Sequence, residues 1–148
     1  KFPVVDVWVE LYYGSYHDVD SSEMAFKIAA RNAIKIALEK AGPQLLEPIM
    51  NVRIYADKEF MGDIMSDITS RRGRVLGMDS SEGSSGIQVV RALVPESEML
   101  RYSTDLRAMT SGKATFEMEF SHYDPISGRE ADKVIEERKK FLEEEANK

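Results

Sequence analysis

Apolar and polar residues alternate from Val4 to Tyr13, with Val5, Val7, Val9 and Leu11 on one face and Asp6, Trp8 and Glu10 on the other. A period of two predicts a β-strand with one buried side. Gly14 and Ser15 break that pattern, and Tyr16 to Asp20 form a polar turn leading into Ser21 and Ser22. Asp20 and Glu23 stand at capping-box spacing, so a helix is expected to start here with Asp20 as its cap. It runs to about Ala41, with Phe26, Ala29, Ala30, Ala33, Ala37 and Leu38 on one stripe and Lys27, Arg31, Lys35 and Glu39 opposite. Residues that small predict close packing on a sheet. Ala41-Gly42-Pro43 supplies a left-handed cap and a proline stop, which sets the boundary of a first unit at 1–44.

From Leu45 onward the periods read strand, helix, strand, strand, helix, strand. Ile49 to Tyr55 alternates. Phe60, Ile64 and Ile68, with Met61 and Met65, then recur at helical spacing up to Arg71-Arg72-Gly73. Val75–Met78 and Ile87–Val94 form a hairpin across the Ser/Gly-rich loop Asp79–Gly86. Pro95 opens a second helix carrying Met99, Leu100, Tyr102, Ser103 and Leu106, which stops at Gly112. The last strand, Ala114 to Phe120, has Phe116, Met118 and Phe120 on one face. This order predicts an α+β fold at 45–124, a ferredoxin-like split βαβ sandwich of four antiparallel strands under two helices. A charged helix, Glu130 to Glu145, follows Asp124-Pro125 and fills the remaining segment, 125–148; its only sizeable apolar residues are Val134, Ile135, Phe141 and Leu142.

Composition narrows the function. At 148 residues, 43% hydrophobic and 31% charged, the chain falls in the range of globular proteins. No apolar run approaches the ~20 residues of a membrane helix, and the alternating start is no signal peptide, so a soluble, cytoplasmic protein with no membrane partner is expected. There is no cysteine, hence no thiolate metal site, nucleophile or redox chemistry. A net charge of -6 is the wrong sign for bulk electrostatic binding of nucleic acid, DNA included. Any RNA contact is therefore local.

The run Gly14-Ser15-Tyr16-His17-Asp18-Val19-Asp20-Ser21-Ser22-Glu23-Met24-Ala25-Phe26-Lys27 resembles the second tip loop, here 14–22, and following helix of domain IV in bacterial elongation factor G. The second unit resembles domain V of the same family. Leu46-Glu47-Pro48-Ile49-Met50 looks like its start, and Met61-Gly62-Asp63 with Arg71-Arg72-Gly73 looks like its first helix and turn. Glu98-Met99, Thr104-Asp105-Leu106-Arg107 and Phe120-Ser121-His122-Tyr123 look like its second helix and last strand. Tyr13 stands where the family usually has Asp. The resemblance implies an incomplete domain IV β–α unit at 1–44 and a complete domain V at 45–124, from a translational GTPase that moves tRNA and mRNA through the ribosome. It also implies that GTP and Mg bind elsewhere in the parent. No G-x-x-x-x-G-K-[ST] motif occurs here, so this stretch is expected to carry no catalytic residue, cofactor or metal, and the start at Lys1 predicts a piece of a longer chain.

In that frame Ser15, Tyr16, His17 and Asp18 are the expected contacts to the tRNA–mRNA duplex in the decoding region. An imidazole donates to phosphate or 2′-hydroxyl, and a tyrosine stacks beside it. The plain alternative is a polar turn histidine. A metal or acid–base cluster of His17, Asp18 and Asp20 is set aside because Asp20 is assigned to the cap. His122 ends a strand and is expected to pack or cap there. Arg71, Arg72 and Arg74 form the densest basic cluster; they either complement the dipole at a helix C-terminus or meet ribosomal RNA phosphates. The methionines read as core filler. Two other classes stay open: a ribosome-protection or recycling paralogue of the same architecture, and a stand-alone ferredoxin-like regulatory module.

Overall fold

A computed structural model describes residues 2–80, 86–126 and 128–146 of the chain. Two compact units emerge, Lys1–Pro43 and Gln44–Lys148. In the first, the helix α1 spans Glu23–Lys40. The expected strand does not form: residues 7–17 carry no regular structure, and Trp8 is 88% exposed while Val5, Val7, Val9 and Leu11, the face expected to be buried, are exposed as well. A strand is completed by hydrogen bonds to a neighbour, and among the described residues this segment has none. The stripe of α1 likewise buries no residue, so the sheet packing expected from its alanines is not realised here. Its N-cap is Ser22, not Asp20: the Ser22 hydroxyl accepts from the Ala25 N–H at 3.1 Å. The C-terminus follows expectation, with Ala41 as C-cap and Gly42 at a φ of 67°.

The second unit contains β1 (Leu46–Asp57), a 3-10 turn (Lys58–Phe60), α2 (Met61–Ser70), β2 (Arg74–Ser80), β3 (Ile87–Pro95), a 3-10 turn (Glu96–Met99), α3 (Tyr102–Met109), β4 (Thr115–Pro125) and α4 (Gly128–Ala146). Residues 81–85, most of the Ser/Gly loop, lie outside the described residues. The sheet order is β2-β3-β1-β4, with antiparallel pairing throughout. This is the ferredoxin-like sandwich. β1 runs beyond Ile49–Tyr55 at both ends because it is central and paired on both edges. One face of the sheet carries Met50, Val52, Ile54, Ala56, Val90, Ala92 and Val94, which pack with Ile64, Ile68, Tyr102 and Leu106 into the core.

Three further differences from the sequence reading lie at α3 and β4. The helix expected from Pro95 begins as a 3-10 turn, and α3 starts only at Tyr102. It ends before Gly112 because the buried Thr110 hydroxyl takes over, donating to the Leu106 carbonyl at 2.7 Å and accepting from the Ala114 N–H at 3.2 Å. β4 continues to Pro125 past a bulge at Ser121, since Ile49 pairs with His122 while Met50 pairs with Phe120. Phe116, Met118 and Phe120 lie opposite Ile54, Val52 and Met50 and so share the helix-covered face. Only Phe116 is covered, by an edge-on Tyr102 ring at 5.0 Å; Met118 and Phe120 stay exposed on the sheet's edge strand. α4 buries no residue.

Candidate functional site

The loop before α1 is built by two serines. The His17 N–H donates to Ser21 Oγ at 2.8 Å and the Ser21 N–H donates back to the His17 carbonyl at 3.0 Å. Ser22 then caps the helix, so the backbone from residue 17 to residue 25 is closed on itself. What this leaves over is side chain. Ser15, Tyr16, His17 and Asp18 are all exposed, Tyr16 by 72%, and none of the four spends a side-chain polar atom on a hydrogen bond among the described residues. Four side chains of different chemistry stand on a short turn closed by hydrogen bonds, an arrangement suited to gripping an irregular polar surface. Ser21 and Ser22 were missed as its architects; the signal was a Ser-Ser pair directly before the helical period. Among the described residues no group of three or more His, Asp or Glu side chains could hold a metal ion.

The arginine cluster closes α2. The Gly73 N–H bonds to the Ile68 carbonyl at 2.9 Å and the Arg72 N–H to the Thr69 carbonyl at 3.2 Å, a Schellman ending. Here the left-handed residue is Arg72, at φ 59°. Gly73 follows because a Cβ there would lie 2.7 Å from both Ile68 Cγ2 and the Ile68 carbonyl oxygen.

Arg71 turns inward, its side chain only 16% exposed. It donates to Asp67 Oδ2 at 2.8 Å, Asp105 Oδ2 at 2.7 Å and the Glu98 carbonyl at 2.8 Å, and its guanidinium lies 5.0 Å from the Tyr102 ring centroid. Arg72 grips both oxygens of Glu47, at 2.8 and 2.9 Å, and Glu98 Oε1 at 3.1 Å. Hydrogen bonding to Asp67 raises the Arg71 pKa and that to Glu47 raises the Arg72 pKa, each against the cost of desolvation. For these two the geometry favours the structural alternative over RNA contact. Arg74, at the start of β2, is exposed and makes no ion pair among the described residues.

His122 is partly buried on β4, between Ser121 Oγ at 2.9 Å from Nδ1 and Asp124 Oδ2 at 3.2 Å from Nε2. The sheet face away from the helices is polar but internally neutralised: Arg53 pairs with Glu117 at 3.0 Å and Arg91 with Asp79 at 2.8 Å, and Asn51 donates to Glu119.

Residues 44–134 match the family description Elongation factor G C-terminus, and residues 1–42 match Elongation factor G, domain IV. The chain belongs to the elongation factor G family. Among solved structures, a crystal structure of a protein from Thermus thermophilus is similar to this chain at 44% identity, with a TM-score of 0.74 over 87% of the chain. The chain spans 19% of the length of that protein. In this elongation factor G region the exposed loop belongs to the domain IV match and the arginine cluster to the C-terminus match. No described helix is long and apolar enough to cross a membrane.

Proposed function

We propose that this region is the ribosome-contacting end of a cytoplasmic translational GTPase and acts mechanically in the movement of tRNA and mRNA. GTP and Mg are handled by another part of the parent protein. Ser15, Tyr16, His17 and Asp18 meet the tRNA–mRNA duplex in the decoding region, and the reading is carried by the serine-closed turn that leaves all four side chains unspent. Arg74, the member of the arginine cluster without an ion pair among the described residues, is the one left to meet ribosomal RNA phosphate.

The test is His17→Ala in the full-length parent. Loss of a hydrogen bond to a charged group costs ~1–3 kcal/mol, so single-round translocation should slow roughly ten- to hundredfold if the contact forms in the transition state. Multiple-turnover GTP hydrolysis should stay nearly unchanged, because a lost loop side chain leaves the nucleotide machinery in place. Equal loss of both activities would overturn the assignment. Arg74→Ala should instead weaken ribosome binding and lower its salt dependence, as removal of one phosphate contact does.

A further inference from the structure

Arg71 and Arg72 are neighbours in sequence and both reach Glu98, yet their remaining partners lie on different elements: Asp67 and Asp105 for Arg71, Glu47 for Arg72. The left-handed φ at Arg72 reverses the chain between them, so Arg71 points to α3 while Arg72 points to the start of β1. That conformation costs an L-residue about 1–2 kcal/mol relative to glycine, and such strain persists only where the surroundings impose it. Glycine would make the same turn without strain but could not reach Glu47. The side chain is what the strain retains.

Glu47 lies just past the Pro43/Gln44 boundary, and its side chain is only 14% exposed. The same end of the sheet is tied by the Ile126 N–H, which donates to the Leu45 carbonyl at 2.9 Å, and by the pairing of Leu46 with Pro125. Arg72 adds a forked grip on Glu47 and joins it to Glu98 Oε1, with Ser97 Oγ at 3.5 Å. Forked arginine–carboxylate pairs fix orientation as well as distance. We infer that Arg72 is a positioning residue: through Glu47 it holds the start of β1, and with it the Gln44 end of the second unit, against the turn between α2 and β2. The functional weight of this inference rests on the proposed function, because Gln44 continues in sequence into the segment that bears the loop.

The test is made on the whole chain, off the ribosome. Because the sequence contains no cysteine, spin labels at Gln44→Cys and Ser66→Cys, both exposed positions, report the distance between the junction and α2 alone. The wild-type background should give one narrow distance distribution. Arg72→Gly, which keeps the turn and removes the grip, should broaden it about twofold, as expected when a segment is released to local opening, and Glu47→Gln should do the same. Asp105→Ala opens the Arg71 grip without touching β1 and should lower stability while leaving the width unchanged. An unchanged width in Arg72→Gly, or equal broadening in Asp105→Ala, would overturn the inference. Failure of the His17 experiment would leave this measurement untouched, so the two ideas fail separately.

Discussion

Val5, Val7, Val9 and Leu11 in the first unit and Val52, Ile54 and Ala56 in the second write the same period of two, yet the first set is exposed and the second is buried. The second set has paired strands on both edges and two helices over one face. The first has neither among the described residues. Alternation states which face of a strand can be buried; pairing and cover decide whether it is. α1 repeats the lesson, because its helical caps are in place while no residue of its apolar stripe is buried.

The largest test of this contrast is a pair of truncations. Ile68, on α2, is fully buried in the core against the sheet, so Ile68→Ala should destabilise the second unit by about 2–5 kcal/mol. Phe26 on α1 is 53% exposed, and Phe26→Ala should change stability by no more than about 0.5 kcal/mol. Urea unfolding followed by circular dichroism would measure both. A loss of more than about 2 kcal/mol in Phe26→Ala would mean that the first unit has a core of its own.

Glycines give the next contrast. A Cβ on Gly73 would collide with Ile68, whereas one on Gly14 meets nothing within 4 Å. Gly73→Ala should cost about 1–3 kcal/mol by overpacking, and Gly14→Ala should be close to neutral. At the neighbouring left-handed position, Arg72→Gly should be more stable than Arg72→Ala by roughly 1 kcal/mol, the strain an alanine keeps and a glycine sheds. Thermal unfolding of the four variants checks the order, and equal melting temperatures for the two Arg72 variants would show that the turn relaxes when the grip is lost.

Much of the second unit was legible because each of its signals is local. Alternation in Ile49–Tyr55, helical spacing in Phe60–Ile68 and the two strands flanking the Ser/Gly loop each sit within a few residues, and together they order the sandwich. The loop at 14–22 was legible as a motif, but its construction was not: Asp20 has the better capping-box spacing, and the choice of Ser22 depends on where the His17–Ser21 pair closes the turn. The arginine cluster was the hardest to read. Asp67 stands at the i,i+4 spacing of a helical ion pair with Arg71, but the other partners, Glu47, Glu98 and Asp105, lie 25 to 34 residues away, so no short window on the sequence shows that Arg72 is engaged or that Arg71 reaches α3. The bulge at Ser121 is hidden for the same reason, since it exists only in the register against β1.

The smallest effect concerns Tyr102, whose ring is fully buried and whose hydroxyl finds no partner among the described residues. Burial, and after it the nearby Asp67 carboxylate, push its pKa well above the ordinary 10.0. A phenol held neutral in the folded state contributes its stability fully below the unfolded pKa, and that contribution is lost as pH rises through 10 toward the folded value, because the unfolded chain then releases the proton and the folded one does not. Tyr102→Phe keeps the edge-on contact with Phe116 and the face that Arg71 covers while removing an unpaired hydroxyl. At pH 7 it should therefore change stability by less than about 1 kcal/mol, far less than Ile68→Ala in the same core. Above pH 10 the variant should lose stability less steeply than the parent, so the two curves draw apart with the variant higher. Urea midpoints measured from pH 7 to 11 decide it, and parallel curves would mean that the Tyr102 hydroxyl ionises as easily in the folded chain as in the unfolded one.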